Sequence, residues 1–352
     1  MTASSGDEED IRIRHDARNR AAAISRYWGF AAIAVGLLVG IVLDTPPISI
    51  QLVPLVVSVI ALGLPHGAVD HLVLPRVRND PVTYRSLAFV GSLYLSLSGL
   101  YLLAWFVTPV AAFVFFLALT VVHWGQGDVY VLRELVRADH LDSRLNRVGT
   151  ALVRGGIPMV VPLLTFPDQY ELVATAVVGL FNPTATSMLG AAFEPSIRPW
   201  ISVAFGTLVT VVLAVGFVTA DSNDAWLLDA AETGGLLALF AFVPPILAIG
   251  LYFPFWHSLR HVLRTLLVDE PSVSALGTGH ERRAFRRFAR DAAPLTTGAL
   301  VVLVALATVI PRTPTSFELL DFLALYLVCL AVFTAPHTVI VSLLDREQGI
   351  WS

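Results

Sequence analysis

Residues 51–71 read QLVPLVVSVIALGLPHGAVDH, and this stretch decides the fold class. Positions 51–69 form an apolar run of about 20 residues, the length an α-helix needs to cross the hydrocarbon core of a bilayer. The run closes on Pro65 and His66, with Asp70 and His71 directly behind. Proline kinks or ends a helix, and an ionisable ring at membrane depth is costly unless something satisfies it. One segment therefore combines a membrane span with a reason to look for chemistry inside it.

Working outward, runs of the same kind recur near 28–43, 86–107, 109–125, 149–165, 170–190, 199–219, 235–260, 292–310 and 318–343. With 51–69 they make about ten spans, so the expected fold is all-α: a polytopic transmembrane helical bundle. Composition agrees, because 56% of the 352 residues are hydrophobic and 14% are charged, against about 25% charged in a soluble domain. Mean hydropathy is +0.73. Asn182, Pro183 and Thr184 interrupt the run 170–190, which reads as a broken or re-entrant piece. The division expected is a polar N-terminal segment 1–26, one catalytic membrane domain 27–345 and a tail 346–352, with a basic amphipathic helix at Glu281–Arg290 lying on the inner membrane surface.

All 23 basic residues are arginine, and the net charge is -4, which excludes a basic nucleic-acid surface. Cytoplasmic flanks collect arginine. Alternation from an inside N-terminus places the clusters around Arg12–Arg26, Arg76–Arg85, Arg133–Arg154, Arg198 and Arg260–Arg290 inside, and Arg312 alone outside. The outer segments then carry Asp44, Asp168, Glu171, Asp221, Asp224, Asp229, Glu232 and Glu318. Both termini are expected in the cytoplasm of a multi-pass cell-membrane protein. Cys329 is the single cysteine, so metal chemistry must use His, Asp or Glu.

Six of nine histidines, His66, His71, His123, His257, His261 and His337, lie in or at the ends of apolar helices. His257 and His261 are spaced i, i+4, which puts both rings on one helix face, about 6 Å apart, where one metal ion can bridge them. His123 opens the segment His-Trp-Gly-Gln-Gly-Asp128, and His337 follows Pro336. The expected topology brings all of these to the inner half of the bilayer, as a shared site requires. A lone membrane histidine such as His337 commonly packs helices through a hydrogen bond, and His71 at a helix end is equally bland. Asp70 and Asp128 each follow a motif histidine and are candidates to accept its N–H and set its tautomer; their ordinary role is a cap or a solvated charge. Trp124, Tyr252, Phe253, Trp256 and Phe333 serve equally as core or as walls of an apolar tunnel open to lipid. Imidazole suits Zn, Cu, Fe and Ni alike. No His-Glu-x-x-His is present, so an intramembrane zinc protease lacks its general base.

Gly63-Leu-Pro-His66-Gly-Ala-Val-Asp70, His123-x-Gly-x-x-Asp128, His257-Ser-x-Arg-His261 and Pro336-His337, in this order, resemble the motifs of the Brp/Blh family of membrane beta-carotene 15,15'-dioxygenases. The resemblance runs from about residue 50 to 345. It implies cleavage of the central double bond of beta-carotene by O2 at Fe(II), giving two molecules of all-trans-retinal and a functional link to a retinal-binding opsin. It also implies that His66, His123, His257 and His261 are the iron ligands. Two other classes stay open: another membrane non-haem iron oxygenase such as a lipid hydroxylase, and a non-enzymatic opsin-assembly or transport protein.

Overall fold

Alanine, leucine, valine and phenylalanine recur through the long runs with little to break them, and in the computed structural model every long run is helical. It describes residues 5–43, 46–310 and 319–352, and among these residues no strand forms. The helices are α1 (Ser5–Leu43), α2 (Ile48–Gly63), α3 (Asp70–Arg78), α4 (Tyr84–Val107), α5 (Pro109–Leu135), α6 (Arg144–Thr165) and α7 (Pro167–Gly179). They continue as α8 (Arg198–Thr219), α9 (Asn223–Phe242), α10 (245–266), α11 (Glu270–Gly277), α12 (Glu281–Val309) and α13 (Leu319–Glu347). Eight of them, α1, α4, α5, α6, α8, α9, α12 and α13, are long and apolar enough to cross a membrane. This is a multi-pass membrane protein. The shorter α2, whose Val53, Val56, Val57 and Ile60 face outward, runs alongside the buried, segmented α10.

Ion pairs collect one end of the bundle. Arg14 meets Glu270 at 2.8 Å, Arg20 meets Glu281 at 2.5 Å, Arg76 meets Asp269 at 3.2 Å and Arg78 meets Glu347 at 2.5 Å, while Arg147 donates to the Ser352 carbonyl at 3.0 Å. The start of α1, the arginines around 76 and 147, the 264–291 connection and the C-terminus thus share one end, as the arginine pattern predicts. Asn146 reaches Thr219 at 3.1 Å and Thr165 reaches Phe240 at 3.3 Å, which orients α8 and α9 relative to α6.

Those contacts bear out the broken reading of one run and correct another. Segment 170–190 does not cross: after α7, Asn182 accepts from the N–H groups of Thr184 and Ala185 and starts a 3-10 turn over Pro183–Leu189. The run 235–260 is not one span either, since α9 ends at Phe242 and Pro244 starts α10. The two differences cancel in parity but reverse α8, so Arg198 lies at the end opposite the arginine-rich one described above. Asp221 and Asp224 join the arginine-rich end, and Asp229 and Glu232 are buried inside α9. By sequence Asp229 and Glu232 read as the end of an outer loop, whereas these two carboxylates meet Arg154 and Arg260 inside the bundle. Asp44, Arg312 and Glu318 lie outside the described residues.

Two boundaries also shift. Helix α1 passes through residue 26 without a break, and Glu281–Arg290 is the first part of α12 rather than a separate surface helix. Its Ala284, Phe288 and Ala292 are buried against the bundle while Arg287 holds Asp269 at 2.6 Å.

Candidate metal centre

The α-helical ladder loosens in three places, of which the first and third carry or adjoin the site. Helix α2 ends in a π-turn at Val59–Gly63, α5 ends in one at Val131–Leu135, and Phe253–Ser258 of α10 is another. π-turns recur at functional sites because they re-aim a side chain within a helix. After the first, Pro65 removes a donor and the chain turns so that His66 folds back, its Nδ1–H donating to the Gly63 carbonyl. A Cβ on Gly63 would stand 2.6 Å from the Ser58 carbonyl oxygen, so only glycine lets the chain turn there.

The imidazoles meet. Ring nitrogens of His66, His123 and His257 lie within 4.8 Å of one another, all buried. His261 joins them, its ring centroid 4.6 Å from that of His257 and 4.9 Å from that of His123. His337 closes the group from α13, 4.7 Å from His123 and 5.0 Å from His66 between centroids. Both nitrogens of His123 and the Nε2 atoms of His257, His261 and His337 are buried without a hydrogen-bond partner among the described residues. Buried polar atoms are nearly always paired, and each orphan costs about 1–3 kcal/mol. Lone pairs from separate helices aimed at one spot form the donor set a divalent cation satisfies. The residues present therefore fit a metal.

Asp70 lies directly behind this group. It accepts from His337 Nδ1 at 2.8 Å and from the Tyr94 hydroxyl at 2.5 Å, so it orients the α13 histidine rather than its own motif neighbour His66. Asp128 hydrogen-bonds none of the cluster histidines among the described residues, because five residues along α5 turn it to a different face from His123. Its carboxylate accepts from Trp256 Nε1 at 3.0 Å and from Arg260 at 2.9 Å. With Arg154 bonded to Asp229 at 2.6 Å and Glu232 at 3.1 Å, and His140 to Asp229 at 3.0 Å, it belongs to a buried charge network that holds α10 beside α6 and α9. Arg260 immediately precedes His261, so the network anchors the helix that carries two imidazoles. His71 makes no ring contact with the cluster among the described residues.

Two apolar chambers flank the imidazoles. The first, about 120 Å³, is walled by Trp124, Phe253, Phe113, Phe116, Tyr170 and Ile246 and has His66, His123 and His257 at one side. The second, about 490 Å³, is lined by Tyr94, Phe333, Val90, Leu295, His66 and His337. Of the expected wall residues, Trp124 and Phe253 line the first and Phe333 the second. Tyr252 and Trp256 do neither: Tyr252 stacks behind Trp124 at 4.8 Å, and Trp256 carries Arg260 over its ring at 3.8 Å. Tyr94, Leu330 and Thr334 were missed in the sequence, although Leu330 and Thr334 stand seven and three residues before His337 and so share its face of α13.

A family model described as Beta-carotene 15,15'-dioxygenase matches residues 57–345. The chain is 43% identical over 322 residues, 92% of each sequence, to a protein named Probable beta-carotene 15,15'-dioxygenase Blh from Halobacterium salinarum. It is 30% identical over 331 residues, 91% of this chain and 90% of the relative, to Probable beta-carotene 15,15'-dioxygenase Brp of the same organism. Identity is 24% over 204 residues, 58% of this chain and 65% of the relative, to a Beta-carotene 15,15'-dioxygenase from an uncultured marine bacterium. No solved structure matches. With four motifs meeting around one buried cluster and the family model spanning nearly the whole bundle, the chain belongs to the beta-carotene 15,15'-dioxygenase family.

Proposed function

We propose that this chain cleaves the central double bond of beta-carotene with O2 and that it does so at one Fe(II) held by His66, His123, His257 and His261, with His337 adjoining. The observation that carries this reading is the convergence of buried imidazoles with unpaired nitrogens on two apolar chambers. Family membership supports the reaction. Bound at this place, ferrous iron would supply the redox chemistry by which dioxygen reacts with a closed-shell alkene.

The rest falls to the protein. Helix packing and the Arg260–Asp128–Glu232 links hold the rings in place, which lowers the reorganisation needed when a cation arrives. The Gly63 carbonyl sets the tautomer of His66 and Asp70 that of His337, leaving Nε2 of each for the centre. Chamber walls of Trp124, Phe253 and Phe113 bind a polyene by shape and exclude water from the double bond to be broken. Each carbon of that bond gains one oxygen and becomes an aldehyde, so two retinal molecules leave.

We place the protein in the cell membrane with its arginine-rich end and both termini in the cytoplasm, following the positive-inside rule. Retinal released into the bilayer is the chromophore precursor a membrane opsin takes up.

The test is co-expression with a beta-carotene pathway. Yellow cells should turn pale as retinal accumulates, and His257→Ala should stop this. Purified wild-type protein should carry close to one iron per chain. Iron-loaded membranes that yield no retinal from beta-carotene and O2 would remove the substrate assignment, and mass spectrometry of the products would identify a hydroxylase instead. Normal pigment from opsin given external retinal in a deletion strain removes an assembly role.

A further inference from the structure

The two chambers differ in one respect. The residues lining the first are all buried or half-buried, whereas the second has Leu87 at 39%, Leu295 at 47% and Val302 at 37% exposure along its rim. That rim is the gap between α4 and α12, two helices that scarcely touch. Gly91 and Gly298 stand in it, and a Cβ added to either would meet nothing within 4 Å. Both chambers reach the imidazoles, sharing His66, Leu330 and Thr334.

We propose that the α4–α12 gap is the lateral portal through which a long apolar polyene enters from the bilayer, and that the two chambers bind its two halves unequally. This rests on the carotenoid reading above. A linear molecule cut at its middle needs space on both sides of the metal centre, and the more buried chamber together with the more exposed one supplies it. Entering end first through the gap, the polyene passes the imidazoles until its leading ring fills the more buried chamber. The trailing half stays in the more exposed chamber with its end facing lipid. Recognition is thus strict for one end and permissive for the other. A carotenoid with one bulky end group is cleaved, with the modified end trailing, whereas one modified at both ends is refused.

Gly91→Phe and Gly298→Phe test the portal without touching the metal centre, since a Cβ at either position meets no neighbour. In the iron-loaded full chain in bilayer discs, the double variant should keep its iron content and unfolding temperature while kcat/KM for beta-carotene falls by about tenfold or more. Binding of beta-carotene to metal-free protein, read from the shift of the polyene absorption band, should weaken in parallel. Wild-type protein should cleave a carotenoid glycosylated at one end and leave the doubly glycosylated one intact. Unchanged binding and turnover in the double variant would overturn the portal, as would refusal of the singly modified substrate. A change of oligomeric state with binding unaffected would assign the gap to a second copy of the chain and also overturn it. Polyene binding that follows the variants in a wild-type enzyme making no retinal would keep the portal and sink the reaction.

Discussion

His337 Nδ1 lies 2.8 Å from Asp70 Oδ2, joining the last helix, α13, to the motif that links α2 to α3. The carboxylate is itself held by Tyr94, so the α13 imidazole is fixed from outside with its unpaired Nε2 turned to the other four rings. Asp70→Asn should therefore weaken ferrous iron binding by about 10–100-fold, measured against a competing chelator. Tyr94→Phe should do less. An unchanged affinity would confine the Asp70–His337 pair to helix packing.

Gly127 gives a second, purely steric handle. A Cβ there would stand 2.8 Å from His261 Nε2. Gly127→Ala should displace that ring at a cost of about 1–3 kcal/mol, equivalent to roughly five- to hundredfold weaker metal binding. Helix content by circular dichroism should not change. Iron occupancy equal to wild type would show that His261 is dispensable for holding the metal.

The charge network makes a stability prediction. Arg154 is fully buried and faces Asp128, Asp229 and Glu232. Removing one partner of a buried ionic group leaves an uncompensated charge, which costs about 3–5 kcal/mol. Arg154→Met should lower the thermal unfolding temperature in detergent by that equivalent, and adding Asp229→Asn should recover part of it. Additive losses in the double variant would show that the two residues do not act as a pair.

Acid sensitivity should arise at the arginine-rich end. Burial alone would raise the Asp269 carboxyl, but hydrogen bonds from Arg287 and Ser272 and the charge of Arg76 hold it below the usual carboxylate range. A lowered carboxylate contributes stability above its unfolded value of about 3.9, and that contribution is lost as pH falls through the lower folded value. Wild-type unfolding temperature should thus decline below about pH 4, and Asp269→Asn should flatten the decline. An identical slope in the variant would place the acid sensitivity elsewhere.

Fold class and site composition were legible in the chain itself. Apolar length identifies membrane helices because lipid offers the backbone no partner, and arginine asymmetry orders their ends. The i, i+4 spacing of His257 and His261 places both on one face by helix geometry alone. Position along a sequence says nothing, however, about what a buried charge meets. Asp229 and Glu232 read as exposed outer residues, and their helix was overlooked, because only the folded bundle brings Arg154 and Arg260 to them. For the same reason Asp70 serves His337, 267 residues away, and Asp128 serves Trp256 and Arg260. Residue types and helical periods are local properties, whereas partner choice and the shape of a cavity depend on long-range packing that only the tertiary structure decides.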